Sequence, residues 1–582
     1  MLSFGWLRVE ASFSAAPLVA ALTLAGVTGC SSCKKADSFA DADYVDRAEP
    51  PVSAPARLLV EAFVSSPNAL WTRVQRGVGG AAMLLPSTFA GLLCTLAGLD
   101  PAVAFEVDGA APAFIVLADE AGGGETTFDA LPPFAVAMKL LDSRHTRNTV
   151  FGGDGAAPAG RYASKDVGGM HMLVPKNGPA SYGAAITAGG YLVVARSEAD
   201  LARLGPYAYR TLPTKTPAPG LEVDVPFAAL SGPLRARLAA AWATEKRELV
   251  DSDANLRVAH DAGAADFGDA PAIVAALDAV LQRRLEILGD LEQARLTLDA
   301  TDDSLDIDVE MKPLAGGGPA TQALDAMHPG DTSPLLDAPL GSALALMLRD
   351  DASGRASDAE DVAAAVARTL GPRLGDDDAK QLRAGLGDWA KGHGDWTTLA
   401  LSASPSYGIT LRAPAVDNDA ASHGLRELLD LAARPAFKEP LKAYLGMREM
   451  TFATTSVPGA GKVTVATIVR NPRPPLSFAW TTTSGEVRAA VSETATDLVA
   501  PPAKAFKKLG DDPGIARSLA ALGESVSFAL VAQPLRAGRK RKDDIEPGPI
   551  VLAWGKRDGH AWGRFEITFL LAKELARALL GL

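Results

Sequence analysis

Residues 305–311 constrain this chain more than any other stretch of it. Leu305, Ile307, Val309 and Met311 alternate strictly with Asp306, Asp308 and Glu310. Side chains that change sides with a period of two belong to a β-strand. One face of it is apolar and must be buried, while the other is acidic and must meet water. A strand with one wet face belongs in an antiparallel sheet, because parallel sheets are covered on both sides. The spacing predicts a partner strand at Arg295–Leu298, and Gly316-Gly317-Gly318-Pro319 ends the pair.

The same grammar recurs along the chain. Ala185–Thr187 and Tyr191–Ala195 flank Gly189-Gly190, and Ile550–Trp554 and Arg564–Phe569 flank Asp558-Gly559. Val103–Val107 and Phe114–Leu117 flank Asp108-Gly109 in the same manner. A short Gly-containing turn between apolar runs is a hairpin signal. Helices are expected from Ser197, with Leu201 and Leu204 on one face, and from Ser231-Gly232-Pro233, with Leu234, Leu238 and Trp242. Another opens at Pro271 and carries Leu277, Leu281, Leu285 and Leu288 as a stripe. Ser357-Asp358-Ala359-Glu360 predicts a helix start, and Gly371-Pro372 its end. Leu399, Leu401, Ile409 and Leu411 form a further strand pair, followed by a helix with Leu425, Leu428 and Leu429; Leu571–Leu580 is a C-terminal helix. The expected fold is α+β: antiparallel hairpin-built sheets packed with long amphipathic helices. Strand pair, proline and helix occur near 295–327 and again near 398–432, so two related halves are expected, with strand order as the test.

The N-terminus supplies an address. One Arg, Arg8, precedes an apolar run from Ala15 to Thr28, shorter than the roughly 20 residues a spanning helix needs and suited to the core of a secretory signal. The run ends in Val27-Thr28-Gly29-Cys30, which resembles the lipobox of bacterial lipoproteins. That resemblance covers the first 30 residues and implies cleavage before Cys30 and acylation of Cys30. Two or more acyl chains hold a protein stably at a bilayer. In such lipoproteins an Asp after the cysteine favours the inner membrane; Ser31 stands here, which implies the outer membrane, facing the periplasm or the cell surface. The hairpin Thr187–Ala195 and its capped helix also resemble segments of large, uncharacterised bacterial exported proteins, a resemblance that brings no function with it.

A chain of 582 residues exceeds one hydrophobic core even without its signal. The expected organisation is a signal peptide (1–29), the lipidated cysteine with a charged, Pro-containing tether (30–55), an N-terminal α+β domain (56–222), a helix pair and hairpin completing the first half (223–328), and a C-terminal α+β half (329–582). With 48% hydrophobic and 22% charged residues the body is globular, and its net charge of −12 argues against nucleic acid as a partner. The one basic run, Arg539-Lys540-Arg541-Lys542, is followed by Asp543-Asp544 and reads as a solvated loop.

Motifs for chemistry fail on spacing. Cys30-Ser31-Ser32-Cys33 is C-x-x-C, but a thioether on Cys30 removes it from redox or zinc chemistry. Cys94, in the run Gly91–Leu96, reads as a small buried hydrophobe, with a Cys33–Cys94 disulfide as the alternative in an oxidising compartment. Val457-Pro458-Gly459-Ala460-Gly461-Lys462-Val463 lacks the first Gly and the Ser/Thr of a phosphate loop and reads as a turn. Asp251-Ser252-Asp253-Ala254-Asn255 begins like a calcium loop, but Leu256 and Ala262 stand where Gly and Glu are required. The spacing of Gly153, Gly155 and Gly160 does not fit a dinucleotide fingerprint. The seven histidines are scattered, and in Met170-His171-Met172 both sulfurs point opposite to the imidazole on a strand. No catalytic residue, cofactor or metal is expected. The expected function is a non-catalytic, lipid-anchored envelope protein that binds a partner, either an envelope protein or an apolar ligand. A carrier of lipid or another apolar molecule and an envelope hydrolase are the alternatives. The first would need an enclosed cavity, and the second a Ser or Asp bonded to a histidine in a cleft.

Overall fold

The computed structural model describes residues 47–119, 131–152, 162–176, 182–216, 218–259, 270–402, 408–471, 473–483, 485–500, 507–534 and 548–580. The chain is α+β, with antiparallel hairpins as the dominant strand connection. It divides into two compact units. Unit 1 comprises Met1–Glu245, Leu288–Met311 and Leu575–Leu582, and unit 2 comprises Lys246–Ile287 and Lys312–Glu574.

Unit 1 contains β1 (Leu58–Val64), β2 (Ala113–Ala118), β3 (Phe134–Lys139), β4 (Tyr162–Val167), β5 (Met170–Pro175), β6 (Gly183–Ile186), β7 (Tyr191–Ala195), β8 (Leu221–Pro226), β9 (Leu291–Ala300) and β10 (Ser304–Pro313). Unit 2 contains β11 (Ser342–Arg349), β12 (Trp396–Ser402), β13 (Gly408–Pro414), β14 (Met447–Val457), β15 (Gly461–Arg470), β16 (Leu476–Thr483), β17 (Glu486–Ser492), β18 (Val526–Ala532), β19 (Ile550–Arg557) and β20 (His560–Thr568). Neighbouring strands in unit 1 run β4-β5-β6-β7-β3-β2-β1-β8-β9-β10, and in unit 2 β14-β15-β16-β17-β13-β12-β11-β18-β19-β20. Strand for strand, the order is the same.

The register is shared as well. The β1–β2 ladder shifts between Leu58 and Val60, and the β11–β12 ladder shifts between Ser342 and Leu344. Aligned on this bulge, Leu58↔Ala118 matches Ser342↔Ser402, and Phe63↔Glu222 across β1–β8 matches Met347↔Ala529 across β11–β18. A bulge alters local twist and is not placed by chance, so the two units are related halves. The segments that first suggest the repeat are nevertheless not each other's counterparts. The strands at 295–313 correspond to β19–β20, and the strands at 398–414 correspond to β2–β3.

Local chemistry explains most elements. Ser197 Oγ accepts from Asp200 N at 3.1 Å and starts the helix Glu198–Pro206, which buries Leu201 and Leu204. Pro233 and Pro271 stand in the first turns of Pro233–Ala259 and Ala270–Gly289. Asp558 and Gly559 take φ of 53° and 77° between Arg557 and His560, the left-handed pair that a two-residue hairpin needs.

Two expectations are corrected. Val103–Val107 is not a strand: Asp100 accepts from Ala102 N, Pro101 follows it, and Pro101–Phe105 is a helical turn that buries Val103. The helix expected to start at Ser357 starts five residues earlier, because the Asp351 carboxylate accepts from Gly354 N at 2.7 Å and caps Ala352–Leu370.

Each unit has its own core. One face of the unit 1 sheet packs Val64, Val136, Leu192 and Ile186 against Leu93 and Val103 of the helical turns. The other packs Phe63, Phe114 and Val193 under Leu201, Leu204 and Leu212. Residues 47–55, expected within a tether, lie against this second layer. Arg47 N donates to Ala188 O, the Glu49 carboxylate takes Tyr209 and Arg210, and Val52 N donates to Thr211 Oγ1.

Candidate functional site

Cys30, the one site residue expected from sequence, lies outside the described residues, as do Cys33, Gly153–Gly160, His260 and the basic run 539–542. Cys94 is buried in the helix Phe89–Leu96, and burial pushes its thiol up to about 12, which leaves it without thiolate reactivity near neutral pH. Met170 and Met172 are buried in β5, and the intervening His171 is half-buried on the other side. Val457 pairs with Gly461 across the β14–β15 turn, and Asp251–Asn255 continues the helix Pro233–Ala259. Among the described residues no group of three or more His, Cys, Asp or Glu is placed to hold a metal.

Among the described residues His171 Nδ1 lies 3.5 Å from Ser164 Oγ and His145 Nε2 lies 3.7 Å from Glu106 Oε1, and a third histidine meets two acids. His423 Nδ1 lies 2.9 Å from Asp388 Oδ2, and its Nε2 lies 3.7 Å from Glu427 Oε1. With a carboxylate at each ring nitrogen, the imidazole has no nitrogen left to activate a hydroxyl. The adjacent Ser422 Oγ already accepts from Trp480 Nε1 at 3.1 Å. This is an exposed hydrogen-bonded pair and not the start of a triad.

The feature that sets unit 1 apart is a charged sheet face. β1 reads Leu-Leu-Val-Glu-Ala-Phe-Val and is buried almost throughout, so Glu61 is a lone carboxylate in a core strand. Residues directly opposite across an antiparallel pair share a face. Glu61 faces Asp224, Phe63 faces Glu222, and Asp224 faces Arg295. Glu61, Glu222, Asp224 and Arg295 therefore stand side by side. Arg295 Nε lies 3.0 Å from Asp224 Oδ1 and 3.2 Å from Glu222 Oε1. Gln293 Nε2 donates to Asp224 at 3.0 Å, and Ala218 N donates to Glu222 Oε2 at 2.6 Å. Tyr207 and Lys215, from the segment linking β7 to β8, both reach the Glu61 carboxylate.

Burial and charge act together here. Burial alone lowers the Arg295 guanidinium, but Asp224, Glu222 and Glu310 outweigh it and raise it above its ordinary value. Burial, with the Glu61 carboxylate beside it, raises the Tyr207 hydroxyl. The face grades from a buried edge to a wet one, with side-chain exposure of 6% at Glu61, 8% at Glu222, 20% at Asp224 and 40% at Arg295. Carboxylates exceed cations across it, and β10 brings Asp306, Asp308 and Glu310 on alternate positions, Glu310 within the field of Arg295.

Unit 2 builds the same positions without charge. By the shared register Glu61, Glu222, Asp224 and Arg295 correspond to Ala345, Ala529, Val531 and Val551. These are buried beneath Leu335, Leu509, Ile515 and Leu519 in an apolar core. The fold therefore closes over this face when alanine and valine line it. Replacing a buried ion pair by well-packed apolar residues is often neutral or stabilising, so stability alone does not account for the charges of unit 1. The sequence signal for Glu61 was present, as a single acid inside a seven-residue apolar run, but its partners come from strands and turns about 150 residues away.

No protein-family model matches the chain. No curated protein matches it. Among solved structures it is similar to crystal form IV of TP0453, at 11% identity over 45% of this chain and 99% of that one, with a TM-score of 0.19. Crystal form III of TP0453 matches at 10% identity over 43% of this chain and 98% of that one, also with a TM-score of 0.19. Likeness at this level carries no functional argument. No helix among the described residues is long and apolar enough to cross a membrane.

Proposed function

We propose that this chain is a lipid-anchored envelope protein without a catalytic role, cut before Cys30 and acylated there, whose unit 1 presents a charged sheet face to a protein partner. The observation that carries the binding role is the contrast at register-matched positions, Glu61, Glu222, Asp224 and Arg295 in unit 1 against Ala345, Ala529, Val531 and Val551 in unit 2, where β20 still brings Arg564 and Glu566 to the face. Duplication frees one copy to hold the fold while the other takes on an interaction. Because carboxylates dominate the face of unit 1, the complementary partner surface is basic, and charge complementarity sets its orientation and on-rate. The address rests on the lipobox resemblance at Val27–Cys30 and on Ser31, which favours the outer membrane.

A photo-reactive residue at Thr297, which pairs with Glu222 on this face, tests the binding role in growing cells. The expected result is a discrete protein adduct that weakens when Glu310→Lys is added. Cross-linking at Thr297 no greater than at exposed Glu360 of unit 2, or unchanged by Glu310→Lys, contradicts it.

A further inference from the structure

Arg47 lies at one end of unit 1. Arg47 N donates to Ala188 O in the β6–β7 turn at 3.0 Å. In the same turn Gly189 O accepts from Lys139 Nζ at 2.9 Å, and Gly190 O accepts from Leu140 N at 2.9 Å. The next residue, Leu141, donates its N–H to Glu106 O at 2.9 Å. This run of bonds places Leu141 and Phe105 at the same end of unit 1 as Arg47. Both are apolar and turned to water, Leu141 65% exposed and Phe105 79%. Sixteen residues separate Cys30 from Arg47, a contour of at most about 60 Å. A lipid on Cys30 would therefore hold this end within reach of its bilayer.

Unit 2 supplies an internal comparison. The strand register places Val416 at the position of Leu141, and Val416 N donates to Gly392 O at 2.9 Å as Leu141 N does to Glu106 O. Val416 is 70% exposed, but Lys391 stands where unit 1 has Phe105. The helices that follow are both capped by aspartate, Asp142 before Ser143–Phe151 and Asp417 before Asn418–Asp430. Two residues beyond each cap, unit 1 has the exposed Arg144 and unit 2 has Asp419. A helix N-terminus favours negative charge. Asp419 is what the dipole prefers, and Arg144 works against it. The local acids are otherwise engaged: Asp142 accepts from His145 N, and Glu106 lies 3.7 Å from His145 Nε2. A basic residue that costs helix stability, beside two exposed apolar side chains at the anchored end, matches an anionic lipid surface, where basic residues and apolar side chains both bind.

We infer that the Phe105–Leu141–Arg144 end of unit 1 docks on the anionic face of the bilayer that holds the anchor; this rests on lipidation of Cys30. Docked in this way, the protein would hold unit 1 in a fixed orientation on the membrane.

The test uses the full lipidated protein in vesicles of phosphatidylethanolamine and phosphatidylglycerol, with a photo-reactive phenylalanine analogue at 105, 141 or 416. All three sites are exposed, so the fold is not at risk. Lipid adducts are expected at 105 and 141 at about five times the yield at 416, with Arg144→Ala reducing the yield at 105 by about fivefold. Equal yields at all three sites overturn the inference, as does a yield at 105 indifferent to Arg144→Ala. The intact mass of the same sample separates two failures. Acylated Cys30 without lipid adducts at 105 and 141 removes the docking alone, whereas a chain lacking acyl mass removes the anchor and the docking together.

Discussion

Glu61 shows how a single residue can define a surface. Its carboxylate takes the Tyr207 hydroxyl and the Lys215 ammonium, while Ala345 fills the matching place in unit 2. Removing the carboxylate strands a hydroxyl, so Glu61→Ala is expected to cost about 1–3 kcal/mol in urea unfolding. Adding Tyr207→Phe should recover much of that loss, because no orphan donor remains; a second loss of equal size would show that the pair is not coupled. His393 makes a different prediction. It stacks on Trp389 at 4.4 Å, and its Nδ1–H donates to Trp389 O at 2.6 Å. Burial lowers its pKa to about 4 from 6.5. The folded state holds it neutral while the unfolded chain protonates it, so its share of stability is present above pH 6.5 and is lost as pH falls towards 4. The expected loss is about 2 kcal/mol at pH 5. A urea midpoint for unit 2 that is flat between pH 7 and pH 5, or equally steep in His393→Gln, would contradict this. Neither residue announced its role in the sequence. Glu61 is visible only as an acid out of place, and nothing in the sequence around His393 marks its burial, because the aromatic ring that covers it depends on a helix end.

At the level of elements, legibility follows the range of the forces involved. Hairpins at Gly189-Gly190 and Asp558-Gly559 and the caps at Ser197, Pro233 and Pro271 are decided within a few residues, and they were readable. The turn Pro101–Phe105 was misread because its apolar run suits a strand as well as a helix, and Asp100-Pro101 decides between them. The helix start at Asp351 was missed because Ser357 offered a rival cap one and a half turns further on. The helix Ser143–Phe151 offers a trade-off. Arg144→Asp should stabilise it by about 0.3–1 kcal/mol through the dipole, read as a higher midpoint of thermal unfolding, while lowering lipid cross-linking at position 105. A variant that gained stability and kept its lipid contacts would separate Arg144 from the membrane.

For the whole molecule, the repeat was legible only as a rhythm. Its proof lies in strand order and in a shared bulge, long-range features that no window of sequence contains. The segments that suggested it, 295–327 and 398–432, turned out to be unlike parts of two like halves, since alternating strands followed by a helix recur within each half. Once aligned, the halves expose what differs: Glu61, Glu222, Asp224 and Arg295 against alanine and valine, and Phe105 and Arg144 at one end against Lys391 and Asp419. Both differences lie in unit 1, the unit that holds Arg47, and both acquire a purpose if Cys30 carries lipid. The most direct test is the intact mass of the protein extracted from its own envelope. The account predicts a chain beginning at Cys30 with the added mass of acyl chains on that residue. A chain beginning elsewhere, or one beginning at Cys30 with an unmodified thiol, would contradict it.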